Sequence, residues 1–196
     1  MPYRRRLAWL SPDPRGVLPL DGLHVARSLR RSARGTEVSV DQAFEEVLQL
    51  CADPDRPGAW ITGEYAAAYR SLHALGWAHS IEVWRERRLI GGLFGVELGG
   101  LFCAESMARR ATDGSKLALW AAISLLAGAD AHQRVFDVQW VTPHLASLGV
   151  VEITRSDYLA ALPVALALPP RLEPMIAVPF GQLLLHPPVT AAGRSQ

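Results

Sequence analysis

The sequence predicts a mixed α/β protein, with a central, mostly antiparallel sheet flanked by helices. Three observations carry that expectation. Apolar residues recur at helical spacing across "SVDQAFEEVLQLC" and "TGEYAAAYRSLHALG". The period then drops to two in three closely spaced β-rich runs, "AHSIEVW", "RLIGGLFGV" and "GLFCA". Helical spacing returns in "SKLALWAAISLLAGA" before one more strand and a last helix. With 196 residues, 49% hydrophobic and 20% charged, the chain can form a core without metal or disulfide help.

Residues 1–22 read as loop, because "SPDPRGVLPLDG" is broken up by proline and glycine. In "LHVARSLRRSARG", Arg27, Arg30, Arg31 and Arg34 stand at three- and four-residue spacings and share one helix face. The next helix carries Ser39 and Gln42 at capping-box spacing, with a stripe of Phe44, Val47, Leu48 and Cys51. Its successor starts at the N-cap candidate Thr62 and stops at Gly76, with Tyr65, Tyr69 and Leu72 along one side. Both stripes are expected in the core. The three β runs are separated by "RERR" and "ELGG", short enough for a meander. Asp113 or Ser115 is expected to cap the fourth helix. In "FDVQW", Phe136, Val138 and Trp140 fall on an apolar face, and Asp137 and Gln139 fall together on the other. "SDYLAALPVALAL" is the last helix. The Pro-rich tail from Pro169 ends in "TAAGRSQ", whose last ten or so residues are expected to be disordered.

The formal net charge of +1 advertises no global basic field, but residues 1–34 are Arg-rich and hold only two acids, Asp13 and Asp21. Two distant cysteines, Cys51 and Cys103, form no CxxC or Cys/His cluster, so no metal site is expected. They read as buried free thiols of a reducing compartment. No apolar run approaches the ~20 residues of a membrane helix, and "MPYRRRLAW" is no signal peptide. The chain is therefore expected to be cytoplasmic. Catalytic signatures such as GxSxG, HExxH, GxGxxG or a Walker loop are absent, and the six histidines show no ligand spacing. The polar residues that stand out are Glu105, after an apolar run, and Asp137 with Gln139, both poor strand formers. Such a pair needs either a wet sheet edge or buried partners.

In order along the chain stand "WLSPDPRGVLPLDGLHVARSLRR", "GAWIT", "YRSLHALGWAHSIEVWRERRLIGGLFGV", "LFCAESM", "SKLAL", "DVQW" and "TPHLASLG". Together these resemble the bacterial leucyl/phenylalanyl-tRNA–protein transferases, over roughly residues 7 to 162. The resemblance implies an acetyltransferase-like (GNAT) fold and no cofactor. It implies transfer of Leu, or Phe and conceivably Met, from aminoacyl-tRNA to the α-amino group of proteins beginning with Arg or Lys. The products would enter N-degron degradation. It further implies a segment 1–34 that is a remnant of the family's N-terminal part, a catalytic domain over 35–168 and a monomer, whereas the Pro-rich tail over 169–196 is unlike the family.

The same resemblance places Asp137, Gln139 and Glu105 at the catalytic centre. An aminoacyl ester is already activated, so the site must mainly orient and stabilise charge. Asp137 would accept from the Gln139 side-chain amide, and the Gln139 carbonyl would face the attacking amine. Glu105 would hold either the aminoacyl amine or the acceptor's cationic side chain. Trp60 would stack on the terminal adenosine. Leu93, Phe102 and Phe136 would line the pocket for the Leu or Phe side chain. Arg27, Arg30, Arg31 and Arg34 would hold the acceptor stem, rather than form a merely solvated face.

Departures from the family pattern are visible. The usual "GESMF" reads "AESMA" here, and the methyl of Ala104 is expected to narrow the pocket and favour Leu. Met1-Pro2 falls near the end of a Phe-Pro-Trp-like stretch, so the family's N-terminal segment is expected to be missing. A truncated, non-catalytic tRNA- or peptide-binding relative is the alternative. An acetyl-CoA N-acetyltransferase fits less well, because "RRATDGSK" lacks the second small residue of a pyrophosphate-binding turn.

Overall fold

The structure, a computed structural model, describes residues 2–3, 6–7, 10–56 and 58–185. The disorder expected for the last ten residues falls outside them. In chain order, β1 (Pro2–Tyr3) and β2 (Arg6–Leu7) pair with each other. Then come β3 (Arg15–Val17), α1 (Arg27–Ser32), β4 (Glu37–Val40), α2 (Phe44–Ala52) and α3 (Gly63–Ala74). The meander is β5 (Ala78–Arg85), β6 (Arg88–Leu98) and β7 (Leu101–Arg109), followed by α4 (Gly114–Leu126). The rest is β8 (Val135–Gln139), α5 (Pro143–Ser147), β9 (Val151–Ile153), α6 (Arg155–Leu166), β10 (Met175–Pro179) and α7 (Phe180–Leu185).

Eight strands form one sheet in the order β10-β4-β5-β6-β7-β8-β3-β9. The expected mostly antiparallel sheet is corrected to a mixed one, since β7 and β8 run parallel at its interior. The physical reason lies in α4: a helical crossover returns the chain to the same end, which a hairpin turn cannot do. β3 enters from the N-terminal segment and β10 from the Pro-rich tail.

The helices cover both faces. α4 is buried along nearly its whole length and packs with Leu29 of α1 and Phe180 and Leu183 of α7. Gly91 and Gly114 let the start of α4 approach β6. A Cβ on Gly91 would lie 2.4 Å from the Gly114 carbonyl carbon. On the opposite face, α2 presents Phe44, Val47, Leu48 and Cys51 to Ile61, Phe94 and Ala108, so its stripe is core as expected. Among the described residues, no helix is long and apolar enough to cross a membrane.

Two local expectations are corrected. Ser39 and Gln42 form no capping box, because Ser39 ends inside β4. Its hydroxyl bonds the buried Glu82 and accepts from Trp84 Nε1 at 2.7 Å. Glu82 also receives the Ala43 backbone N–H at the start of α2, so a tertiary contact replaces the local cap. Trp140 is not core. The strand ends at Gln139, where φ is +65°, and Trp140 is 41% exposed.

Candidate active site

β7 and β8 pair through Leu101↔Val135, Phe102↔Phe136 and Cys103↔Asp137, and there the ladder stops. β7 continues to Arg109 and β8 to Gln139, so the two strands part just beyond Asp137. At this parting β7 carries a bulge. Phe94 pairs with Ser106 and Gly95 with Ala104, which leaves Glu105 as the extra residue. Bulges commonly re-aim side chains beside sites. The register thus brings Glu105 toward the end of β8, where Asp137 and Gln139 stand.

Asp137 is fully buried. Arg15 approaches it as a fork, with Nε donating to Oδ1 at 3.0 Å and Nη2 to Oδ2 at 2.6 Å. The Tyr158 hydroxyl donates to Oδ2 at 2.8 Å, and the Cys103 thiol lies 3.7 Å from the same atom. The Arg15 guanidinium also sits 4.6 Å from the centroid of the Tyr158 ring. A two-pronged ion pair of this kind suits a planar guanidinium and no other cationic side chain.

The contact between Asp137 and Gln139 differs from the one expected. Asp137 Oδ1 accepts the backbone N–H of Gln139 at 2.9 Å, not its side-chain amide. Gln139 Nε2 instead donates to the backbone carbonyl of Asp137 at 3.3 Å. The reason is the left-handed backbone at Gln139, which closes an Asx-type turn. Holding a non-glycine residue there costs roughly 1–2 kcal/mol.

Glu105 is the second carboxylate of the group. Burial pushes it above the ordinary carboxylate range; a Tyr69 hydroxyl bond opposes this and the charge of Asp137 adds to it. Burial first, and then these acids, likewise push the Cys103 thiol and the Tyr69 and Tyr158 phenols up. Cys103 is therefore a thiol at neutral pH and not a nucleophile. Asp137 is balanced by Arg15, whereas among the described residues no arginine or lysine lies within ion-pair distance of Glu105. Among the described residues the site is thus asymmetric: one carboxylate is held in an ion pair and the other is not.

Trp60 belongs to the same neighbourhood. Its ring meets Tyr65 at 5.6 Å and Tyr69 at 6.3 Å between centroids, both edge-on. A chain of contacts therefore runs from Trp60 through Tyr69 to Glu105. Leu93, Phe102 and Phe136 are brought together, but on the opposite face of the sheet, buried in the core beneath α4. Phe102 and Phe136 stack at 5.3 Å between centroids. Ala104 packs partly buried against that same cluster. Arg27, Arg30, Arg31 and Arg34 are all exposed on or next to α1, apart from the carboxylate group. Arg30 lies over an aromatic ring, 5.5 Å from the Trp120 centroid. α1 is fixed at the end of the sheet toward which β7 and β8 part. There Ser32 donates to Asp113 at 2.8 Å, and Arg85 donates to the Ser32 carbonyl at 2.9 Å.

Sequence reasoning missed Arg15, Tyr158 and Tyr69. A buried aspartate requires a cation, and that was a signal to look among the arginines. It could not single out Arg15.

A family model for leucyl/phenylalanyl-tRNA protein transferase matches residues 17–163. The chain belongs to the leucyl/phenylalanyl-tRNA protein transferase family. Relatives of that name agree. One from Rhizorhabdus wittichii is 48% identical over 163 residues, covering 81% of this chain and 64% of the relative. Another, from Zymomonas mobilis, is 47% identical, covering 81% of this chain and 60% of the relative. A third, from Nitratidesulfovibrio vulgaris, is 47% identical over 172 residues, covering 85% and 72%. The chain thus spans about three fifths of the length of the first two relatives. Glu105, Asp137, Gln139, Trp60 and Tyr158 fall inside the matched region, and Arg15 lies just ahead of it.

Proposed function

We propose that this chain is an aminoacyltransferase that moves Leu, or Phe, from aminoacyl-tRNA to the α-amino group of proteins beginning with Arg or Lys. The products would be marked for N-degron degradation in the cytoplasm. The observation that carries the reading is the carboxylate pair at the parting of β7 and β8, in which Asp137 is paired with Arg15 and Glu105, among the described residues, forms no ion pair. An amine reaction needs one fixed polar edge and one site that attracts a cation. The parted parallel strands also favour an acetyltransferase-like fold, in which a substrate enters between strands.

In this reading the acceptor amine, with an ordinary value of roughly 7.7–8.0, is substantially neutral near pH 8. The Gln139 side-chain carbonyl accepts a hydrogen bond from it and directs its lone pair at the ester carbon. The nitrogen–carbon bond forms, the ester bond to the ribose oxygen breaks, and that oxygen leaves with a proton. Glu105 holds the cationic group that comes with a substrate. Residues 35–168 carry the chemistry, while 1–34 supply Arg15 and the basic helix. The decisive experiment is transfer of radiolabelled leucine from Leu-tRNA to a peptide beginning with Arg. No transfer, with Leu-tRNA still bound, would replace this reading with that of a tRNA-binding relative.

Three further outcomes follow. Trp60→Ala removes a base-stacking surface worth about 1–3 kcal/mol, so KM for Leu-tRNA rises roughly 5- to 150-fold. An unchanged KM would make Trp60 a packing residue for Tyr65 and Tyr69. Replacing Arg27, Arg30, Arg31 and Arg34 singly by Ala weakens tRNA binding and lowers the log–log salt slope by about one each. A slope that stays constant would remove α1 from the tRNA surface. Ala104→Gly is expected to leave the Phe-to-Leu transfer ratio unchanged, because the cluster of Leu93, Phe102 and Phe136 that Ala104 packs against is buried on the face of the sheet opposite the carboxylates. Comparing Phe-tRNA and Leu-tRNA as donors checks this.

A further inference from the structure

The Arg15 fork and the Tyr158 hydroxyl lie far from Asp137 in sequence, yet they occupy most of its hydrogen-bonding capacity. Oδ1 receives Arg15 Nε and the Gln139 backbone N–H. Oδ2 receives Arg15 Nη2 and the Tyr158 hydroxyl, with the Cys103 thiol alongside. A carboxylate offers about four lone-pair sites, and here four N–H and O–H donors fill them. With 0% of its surface exposed, Asp137 has no site from which to take a proton from an incoming amine.

What the arrangement does is mechanical. In its observed rotamer Asp137 holds the Gln139 N–H, and that bond closes the turn in which Gln139 sits at φ +65°. Arg15 fixes the rotamer through two parallel bonds. Tyr158 fixes it from α6, and its ring lies against the same guanidinium. Two elements distant in sequence, β3 and α6, therefore converge on one carboxylate beside the last residue of β8. The Gln139 side chain, whose Nε2 is turned back to the Asp137 carbonyl, presents its carbonyl oxygen from a backbone that these contacts define.

We infer that Arg15 and Tyr158 are positioning residues that clamp Asp137 so that it holds Gln139 in its left-handed conformation. In the transfer, Asp137 is then an anchor and not a proton acceptor. This step rests on the proposed transfer, but the clamp itself can be tested without it. Its contribution is orientation, the kind of effect in which a displacement of about 1 Å costs roughly 10²-fold in rate.

The test uses the full chain with Arg15→Lys, which keeps the charge and loses the fork, and Tyr158→Phe, which keeps the ring and loses the hydroxyl. The backbone amide resonance of Gln139, recorded without substrate, reads the clamp. Steady-state leucine transfer reads its consequence. The expected result is a shifted Gln139 resonance in both folded variants, with kcat down about 10- to 100-fold and KM for Leu-tRNA within about twofold. Arg15→Ala extends the test: guanidinium ion at sub-denaturing concentration should restore part of kcat, which a purely structural defect would not allow. An unmoved Gln139 resonance overturns the clamp. A moved resonance with unchanged kcat overturns the positioning role, and a rise in KM alone would make Arg15 a tRNA contact. A wild-type chain that transfers nothing would sink the reading of function, and the substrate-free resonance keeps that failure separate from failure of the clamp.

Discussion

Asp137→Ala is expected to reduce leucine transfer by at least about 10²-fold and to destabilise the fold by about 3 kcal/mol. Both effects have one origin. The substitution strands the Arg15 guanidinium, whose side chain is only 14% exposed, without its counter-charge. Removing one partner of a buried ion pair costs about 3–5 kcal/mol, far more than the pair contributes against an apolar replacement. Some exposure of Arg15 places the value at the lower end. Tyr158 loses its acceptor at the same time, and Gln139 loses the bond that holds its backbone. Asp137→Asn separates these contributions, because it keeps the volume and part of the hydrogen bonding while removing the charge. It should fall between wild type and Asp137→Ala in both urea midpoint and transfer rate. Wild-type values for Asp137→Ala in both measurements would remove Asp137 from the site altogether.

Glu105→Gln is expected to abolish most transfer while stabilising the protein at pH 8. A buried carboxyl held above its ordinary value binds its proton more tightly in the folded chain than in the unfolded one. Its favourable contribution is complete below the ordinary value. It is lost as pH rises through the higher folded value, because there the folded protein must give up a proton that the unfolded chain has already lost. Glutamine removes that penalty, so the variant should melt higher than wild type at pH 8, with the difference shrinking toward pH 4. Activity moves the other way. A Glu105 that must be ionised to hold a cationic group gives wild-type transfer an acid limb above the ordinary carboxylate range, and Glu105→Gln lowers the rate about 10²–10³-fold. A variant less stable than wild type at pH 8, or one with full activity, would contradict this account. The trade of stability for a charge in the site is common where a group must be ready for a substrate.

Parts of the site were legible because their chemistry conflicts with their setting. Asp137 and Gln139 stood out as polar residues in an apolar strand, and Glu105 as a carboxylate after one. The structure places all three at the parting of β7 and β8. Arg15 was hidden by company: it is one of several arginines near the N-terminus, in a Pro-rich run that reads as loop. Tyr69 sat in a helix stripe that explained it as core, and Tyr158 sat in the last helix with nothing local to single it out. The side-chain bond expected between Asp137 and Gln139 failed because strand periodicity assumes extended backbone, and Gln139 leaves it.

By itself the sequence determined the long elements, namely α2, α3, α4, α6 and the β5–β7 meander. Each is long enough for its composition or its apolar period to mark it out. It did not determine β3, β4, β9 and β10. They are three to five residues long, and so short a strand is selected by its neighbour's free edge rather than by its own pattern. The parallel β7/β8 pair and the partners of Asp137 likewise belong to the tertiary structure alone. Arg15 and Asp137 are 122 residues apart along the chain. A hydrogen bond depends on separation in space to within a few tenths of an ångström, and one-dimensional spacing carries no information at that precision beyond the local turn.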